Sequence, residues 1–219
     1  VSMIDWTRID TVMLDMDGCL LDLRYDNCLW NELVPARYGQ AQGISADEAR
    51  QRLYGHLLGK DRDLEFYCID FWTRRTGLDI AALHHELAHL VDYRPGAAAF
   101  LDWLRGRART LLVTNAHRAS LAVKDRYSGL SQRLDGMLSS HDFGAPKESG
   151  AFWDRLSGAE PFDPARTLFI DDTRTVLDAA KGHGIGHLLT ISQPDSGRPP
   201  RANLEYPAFN DFNELIEHG

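Results

Sequence analysis

Thr11-Val12-Met13-Leu14-Asp15-Met16-Asp17-Gly18-Cys19-Leu20-Leu21-Asp22 is an apolar, β-leaning run that stops in two carboxylates one residue apart, with a glycine directly behind them. Residues i and i+2 of a strand point to the same side, so Asp15 and Asp17 are expected to emerge together where the strand ends. Gly18 lets the backbone turn away there without a steric penalty. Taken alone, the pattern equally describes a strand capped by solvated Asp residues in a turn. The rest of the chain decides between the two.

Behind this stretch, about seventy residues read as helix. Asn27 to Tyr38 carries Leu29, Trp30, Leu33 and Val34 at helical spacing, with Pro35 as a kink. Ser45-Ala46-Asp47-Glu48 is a capping-box pattern opening a helix through Leu58. Asp61 to Thr76 sets Leu64, Tyr67, Cys68, Phe71 and Trp72 on one stripe and stops at Gly77. Leu78 to Leu90 makes a fourth helix. From Pro95 the pattern alternates: helix 95–107, strand 110–114, helix 120–127, strand 136–140, helix 147–156, strand 167–170, helix 176–181 and strand 187–191. A proline-rich loop, 193–207, and a short helix, 212–217, complete it. Alternating βα units predict a parallel sheet with helices on both faces. The expected architecture is therefore α/β: a Rossmann-like core of residues 1–22 and 93–219, with a helical domain inserted at 23–92.

Ligands of such sheets sit beyond the carboxyl ends of the strands. The residues at those ends are Asp15 and Asp17, Thr114 and Asn115, and Asp171 and Asp172, with Lys147 at an expected helix start. Each signal alone is ordinary: Thr-Asn as a helix entry, Lys147 as an exposed lysine, Asp171-Asp172 as an N-cap pair. Together on one edge they are not. Four converging carboxylates repel one another unless a cation sits among them, and an all-oxygen donor set suits Mg²⁺. Formal charge is −4 from the four Asp, +2 from the metal and +1 from Lys147, about −1 in sum, which a phosphate dianion can approach. Hydrolysis of a phosphate monoester asks catalysis for about 20 kcal/mol or more, and an aspartyl-phosphate intermediate divides that task. Asp15 would be the nucleophile. Asp17 would protonate the leaving alkoxide and then activate water, which requires neighbouring negative charge to help it keep a proton. The Thr114 hydroxyl, the Asn115 backbone N–H and Lys147 would hold the phosphoryl oxygens.

D-x-D-G-x-L-L-D at Asp15, Thr114-Asn115, Lys147 after Pro146, and Asp171-Asp172 after an apolar strand resemble the four motifs of the haloacid dehalogenase (HAD) superfamily. The inserted helices look like its four-helix cap. Longer strings carry the resemblance towards its purine 5′-nucleotidases: Tyr25-Asp26-Asn27-x-x-Trp30-x-x-Leu33-Val34-Pro35, Thr114-Asn115-Ala116-His117, Phe143-Gly144-x-Pro146-Lys147-Glu148, Arg166 to Asp172, and Pro194-Asp195-Ser196-Gly197. The resemblance implies a Mg²⁺-dependent nucleotidase acting on a small phosphomonoester, a purine nucleoside monophosphate such as GMP or IMP. It also implies metal binding by the Asp15 carboxylate, the Asp17 backbone carbonyl and the Asp171-Asp172 pair, with Asp172 as the direct ligand. A phosphatase of other small phosphate esters, or a phosphomutase, shares every core motif and stays open. One departure stands out: Cys19 occupies a position where the superfamily usually has Thr.

Composition agrees with an ordinary globular enzyme. The 219 residues are 43% hydrophobic and 26% charged, and 24 basic against 32 acidic side chains give a net charge of −8. That balance argues against a nucleic-acid polymer as partner. No stretch has the apolar length of a membrane span. Three cysteines without framework spacing, and an N-terminus lacking signal-peptide regions, suggest the cytoplasm. His85-Glu86-Leu87-Ala88-His89 matches the zinc-peptidase pattern H-E-x-x-H. Asp92 stands where the extended form asks for Gly, so His84, His85 and His89 read more simply as a solvated helix face. Gly55 to Lys60 falls one residue short of a P-loop. Arg24, Tyr25, Asn27, Lys60, Arg62, Trp30, Phe66, Tyr67 and Trp72 are candidates for contacting a base, although most of the aromatics suit the cap's own core.

Overall fold

The computed structural model describes residues 3–57 and 63–216. After β1 (Thr11–Leu14) come α1 (Arg24–Cys28), α2 (Val34–Gln42), α3 (Ala46–Tyr54), α4 (Ile69–Thr76) and α5 (Ile80–Glu86). Then follow α6 (Ala97–Leu104), β2 (Arg109–Thr114), α7 (Arg118–Ser128), β3 (Gly136–Ser139), α8 (Ser140–Phe143) and α9 (Gly150–Ala159). The chain continues through β4 (Thr167–Ile170), α10 (Arg174–Gly182), β5 (His187–Ile191) and β6 (Ala208–Phe209). Six parallel strands form one sheet in the order β3-β2-β1-β4-β5-β6. β1 lies between β2 and β4, with Leu14 opposite both Leu112 and Ile170. This placement brings the polar ends of three strands side by side on one edge.

Both faces of the sheet are covered, as the unbroken apolar strands require. Val12, Leu14, Leu112 and Ile170 pack with Phe100, Leu104 and Phe212 on one face. Met13, Leu111, Val113 and Phe169 pack with Phe152, Trp153 and Leu177 on the other. The helical segment holds a third cluster of its own, including Tyr25, Leu29, Leu53, Ile69, Trp72 and Leu83. Its two ends lie together: the Asp22 N–H donates to Asp92 O at 2.9 Å, and the Arg94 N–H to Leu20 O at 2.8 Å. Among the described residues no helix is long and apolar enough to cross a membrane.

Several expected elements need correction. The first helix bends without breaking: a π-helical turn, Leu29–Leu33, joins α1 to α2 ahead of Pro35. Pro35 cannot donate to Asn31 O, and Arg50 Nε fills that carbonyl at 2.7 Å. The π turn sends the Val34 N–H to Leu29 O, and the Tyr54 hydroxyl takes Trp30 O at 2.8 Å. The third expected helix is interrupted at Cys68, whose extended backbone separates a 3-10 turn, Leu64–Tyr67, from α4. α8 and β6 have no counterpart in the sequence reading, being only four and two residues long. The last helix is a 3-10 turn, Phe212–Leu215. The expected helix ends at Leu58, Asp61 and Glu217, the near P-loop at Gly59-Lys60, and Lys60 and Arg62 as base contacts lie outside the described residues.

The H-E-x-x-H stretch lacks the continuous α-helical turn on which that motif gathers its two histidines. α5 stops at Glu86 and Ala88–Leu90 is a 3-10 turn, so His85 and His89 do not share an α-helical face. Glu86 pairs with Arg37 at 2.6 Å. His84 is not solvated as expected but buried, and burial pushes its pKa down to about 4. Its Nδ1 donates to Ile80 O at 2.8 Å, leaving Nε2 to accept from the Ser120 hydroxyl at 3.1 Å.

Candidate active site

Where β1 stops, the Asp15 N–H donates to Ile170 O at 3.0 Å and extends the strand pairing by one residue. The Asp15 side chain is therefore carried beside the end of β4. Lys147 lies against it, 2% exposed, and donates to Asp15 Oδ1 at 2.6 Å, Asp171 Oδ2 at 2.7 Å and Val113 O at 3.0 Å. All three ammonium protons are thus committed, one to each strand end. Lys147 is not at a helix start as expected. It precedes the Ser149 N-cap of α9, in a turn closed by the Ser149 N–H to Pro146 O at 2.9 Å.

Charge here is poorly balanced, and the carboxyls respond. Burial, with Asp171 and Asp17 adding to it against the opposing pull of Lys147, raises Asp15 to about 8. Burial likewise raises Asp171 to about 6 and, with Asp15 beside it, Asp172 to about 7. Ligand oxygens of Asp15, Asp171 and Asp172 lie within 4.8 Å of one another. Two buried carboxylates and a half-buried third, with one ammonium among them, form a donor set that fits a hard divalent cation. Asp171 has both oxygens engaged, by Lys147 and by the Thr173 N–H at 2.8 Å. Asp172 Oδ2 faces Gly18, where a Cβ would stand 2.9 Å from it and 3.0 Å from Pro194 Cβ. Gly18 has φ +81°, so this turn needs glycine for both conformation and space.

Thr114 and Asn115 end β2. The Thr114 hydroxyl accepts from the Ala116 N–H at 3.0 Å, keeping its own proton to donate. The Asn115 side chain accepts from the Lys147 N–H at 2.9 Å and donates to Glu148 Oε2 at 2.8 Å, so it shapes the turn that carries Lys147. Tyr67 of the helical segment donates to the other Glu148 oxygen at 2.7 Å.

A profile of the haloacid dehalogenase-like hydrolases matches residues 9–184. The chain belongs to this family. It is 40% identical over 214 residues, 97% of this chain and 96% of the relative, to the GMP/IMP nucleotidase YrfG of Escherichia coli (strain K12). A HAD phosphatase from Thermococcus onnurineus shares the fold at TM-score 0.74 and 22% identity, covering 94% of this chain and 96% of that one. The HAD-hydrolase YfnB of Bacillus subtilis, solved bound to magnesium, does so at TM-score 0.59 and 19% identity, covering 95% and 97%. This HAD hydrolase is accordingly an enzyme of the phosphatase kind.

Two residues escaped the sequence reading. Lys124 of α7, 2% exposed, forms a short ion pair with Asp17 and donates to Asp26 at 2.7 and 2.8 Å. The charge placed against Asp17 therefore includes a buried cation, where only negative neighbours were anticipated. Asp26 lies in α1, so one ammonium ties the helical segment to Asp17. A signal existed: Lys124 follows the buried Leu121 at i+3, on an apolar helix face.

Cys19 is buried with Sγ 3.5 Å from Ile170 O, to which the thiol can donate. A hydroxyl donating to the same carbonyl differs from it by about 1 kcal/mol. Cys19→Thr is therefore expected to change kcat/KM by less than about tenfold; a larger gain in steady-state turnover would mean that the thiol limits the site. Of the candidates for base contact, Tyr25 and Trp72 are buried, with the Tyr25 hydroxyl on His84 O and the Trp72 indole on Phe66 O. Trp30 packs against the same cluster. Asn27 donates to Asp195 at 2.6 Å, linking the segment to the 193–197 loop. Tyr67 reaches the Lys147 turn through its hydrogen bond to Glu148.

Proposed function

We propose that this HAD hydrolase is a Mg²⁺-dependent 5′-nucleotidase that hydrolyses purine nucleoside monophosphates, GMP and IMP foremost, through an aspartyl phosphate on Asp15. The carrying observation for the chemistry is that Lys147 gathers Asp15, Asp171 and the Val113 carbonyl at the ends of three adjacent strands, with Asp172 against Gly18. The substrate class rests on the 40% identity to the GMP/IMP nucleotidase.

Asp15, Asp172 and the Asp17 backbone carbonyl would hold the cation, with Asp171 beside them. When bound, Mg²⁺ supplies positive charge to the transferring phosphoryl oxygens. The Asp15 carboxylate forms the O–P bond while the bond to the nucleoside O5′ breaks, and Asp17 delivers its proton to that oxygen. Water then attacks phosphorus, Asp17 takes up its proton, and the Asp15–phosphorus bond breaks to release phosphate. Lys147, the Thr114 hydroxyl and the Asn115 backbone N–H hold the phosphoryl oxygens; the Asn115 side chain and Glu148 fix the turn that aims Lys147. Residues 23–92 act as a cap, which the Tyr67–Glu148 bond closes over the site.

Phosphate release across a panel of phosphomonoesters, with and without Mg²⁺, tests this reading. GMP and IMP are expected at the top, with turnover dependent on the metal. Preference for a sugar phosphate would remove the substrate claim and keep the chemistry; metal-independent turnover would remove the cofactor.

Lys124 would position Asp17 and take no direct part. In Lys124→Met, steady-state turnover is expected to fall about 10²-fold, the lower range for general acid–base assistance. With p-nitrophenyl phosphate, whose leaving group needs no proton, a rapid first turnover should survive as a burst. Equal loss of burst and steady state would assign Lys124 to folding alone.

A further inference from the structure

Cys68, Asp70 and His117 place their ligand atoms within 4.8 Å of one another, at the seam between the helical segment and the core. From this cluster we propose a second cation site, for a thiophilic divalent ion such as Zn²⁺, that bridges the two parts of the molecule. Its donors are sulfur, nitrogen and one carboxylate oxygen, the set that selects Zn²⁺ over Mg²⁺. The Asp15, Asp171 and Asp172 group has oxygen only, so the two sites sort different metals.

The local backbone presents these atoms for use. Cys68 is the extended residue that interrupts the helix, and its side chain makes no capping bond to α4. Asp70 sits in the first turn of α4 with its side chain 68% exposed, free to rotate. His117 caps α7 through Nδ1, accepting from the Ala119 N–H at 3.3 Å, while Nε2 stands 4.0 Å from Asp70 Oδ2. Two ligands of a tetrahedral zinc ion stand roughly 3.3–3.7 Å apart, given metal–ligand bonds of about 2.0–2.3 Å. A small rotation of Asp70 closes that difference, and the long His117 capping bond is given up when Nε2 binds. Next to His117, with ring centroids 5.1 Å apart, is His141. Burial lowers the pKa of this ring. Its Nε2 is buried without a hydrogen-bond partner among the described residues. A buried imidazole nitrogen without a partner is available to a metal as a further ligand.

An ion here joins Cys68 and Asp70 of the helical segment to His117, two residues beyond Asn115. Resting on the phosphatase reading, the consequence is inhibition: the bridge holds the Tyr67–Glu148 contact shut and slows exchange of substrate and product.

The test uses the full chain in saturating Mg²⁺. Equilibrium dialysis is expected to find one Zn²⁺ per chain, with affinity lowered at least about tenfold in Cys68→Ser and in Asp70→Ala. Co²⁺ in place of Zn²⁺ should show a thiolate charge-transfer band that Cys68→Ser removes. Turnover should fall on adding Zn²⁺ to the wild type and resist it in both variants. Equal zinc affinity in all three proteins, or a cobalt spectrum without the thiolate band, would overturn the site. Zinc binding that leaves wild-type turnover unchanged would overturn the bridge. Dialysis and the cobalt spectrum do not depend on phosphatase activity, so a failure of the functional reading is seen separately.

Discussion

Asp15→Asn is expected to reduce phosphate release by about 10⁴-fold or more, the scale seen when a covalent nucleophile is removed. The amide preserves size and keeps an oxygen for the Lys147 ammonium, which retains Asp171 at 2.7 Å as its second anion. Burial, with Asp171 and Asp17 beside it, raises the Asp15 pKa, so negative charge at this position is costly in the metal-free protein. Replacing it by a neutral isostere should therefore leave the melting temperature little changed while turnover disappears. Acid-quenched wild-type enzyme should yield a phosphorylated peptide containing Asp15, absent from the variant. Robust turnover in Asp15→Asn would end the nucleophile assignment.

Lys147→Met should be costly in both stability and rate. It removes the cation from a pocket where Asp15 and Asp171 are each nearly inaccessible to water. Breaking a buried ion pair by deleting one partner costs about 3–5 kcal/mol. Mg²⁺ bound to the carboxylates should restore part of this, because a ligand that prefers the folded state stabilises it by mass action. Turnover is expected to fall about 10²–10³-fold at saturating Mg²⁺, the usual effect of losing one preorganised donor to a developing negative charge. Melting curves with and without Mg²⁺, alongside phosphate release, check both halves. A variant as stable and active as the wild type would remove Lys147 from the site.

The sheet was readable from the sequence because its strands are short apolar runs ending in polar residues, and parallel βα units leave few topologies open. The proximity of Asp15 and Asp171 followed from the same rule, since β1 lies beside β4, and Lys147 reaches both from the turn ahead of α9. Helix ends were less legible. Lys147 follows proline and resembles a helix opening, yet Ser149 is the residue whose side chain accepts from the Ala151 N–H. The break at Cys68 has no Gly or Pro to announce it. Lys124 and Asp26 were missed for a different reason. A lysine inside an amphipathic helix looks solvated until the fold shows which carboxylates share its pocket, and Asp17 and Asp26 meet there only through tertiary packing.

The adjacency of Leu20–Asp22 and Asp92–Arg94 also bears on how this protein can fold. Tethering the ends of a flexible loop of roughly 70 residues would cost the core about 4 kcal/mol in chain entropy. A segment with its own apolar cluster can offset that cost internally, because folding brings its two ends together before the core needs them so. If it folds first, the helical segment enters the core's folding as a short, preformed turn. Insertions within the segment then lengthen a loop whose ends are already held together, without changing the register of the sheet beneath.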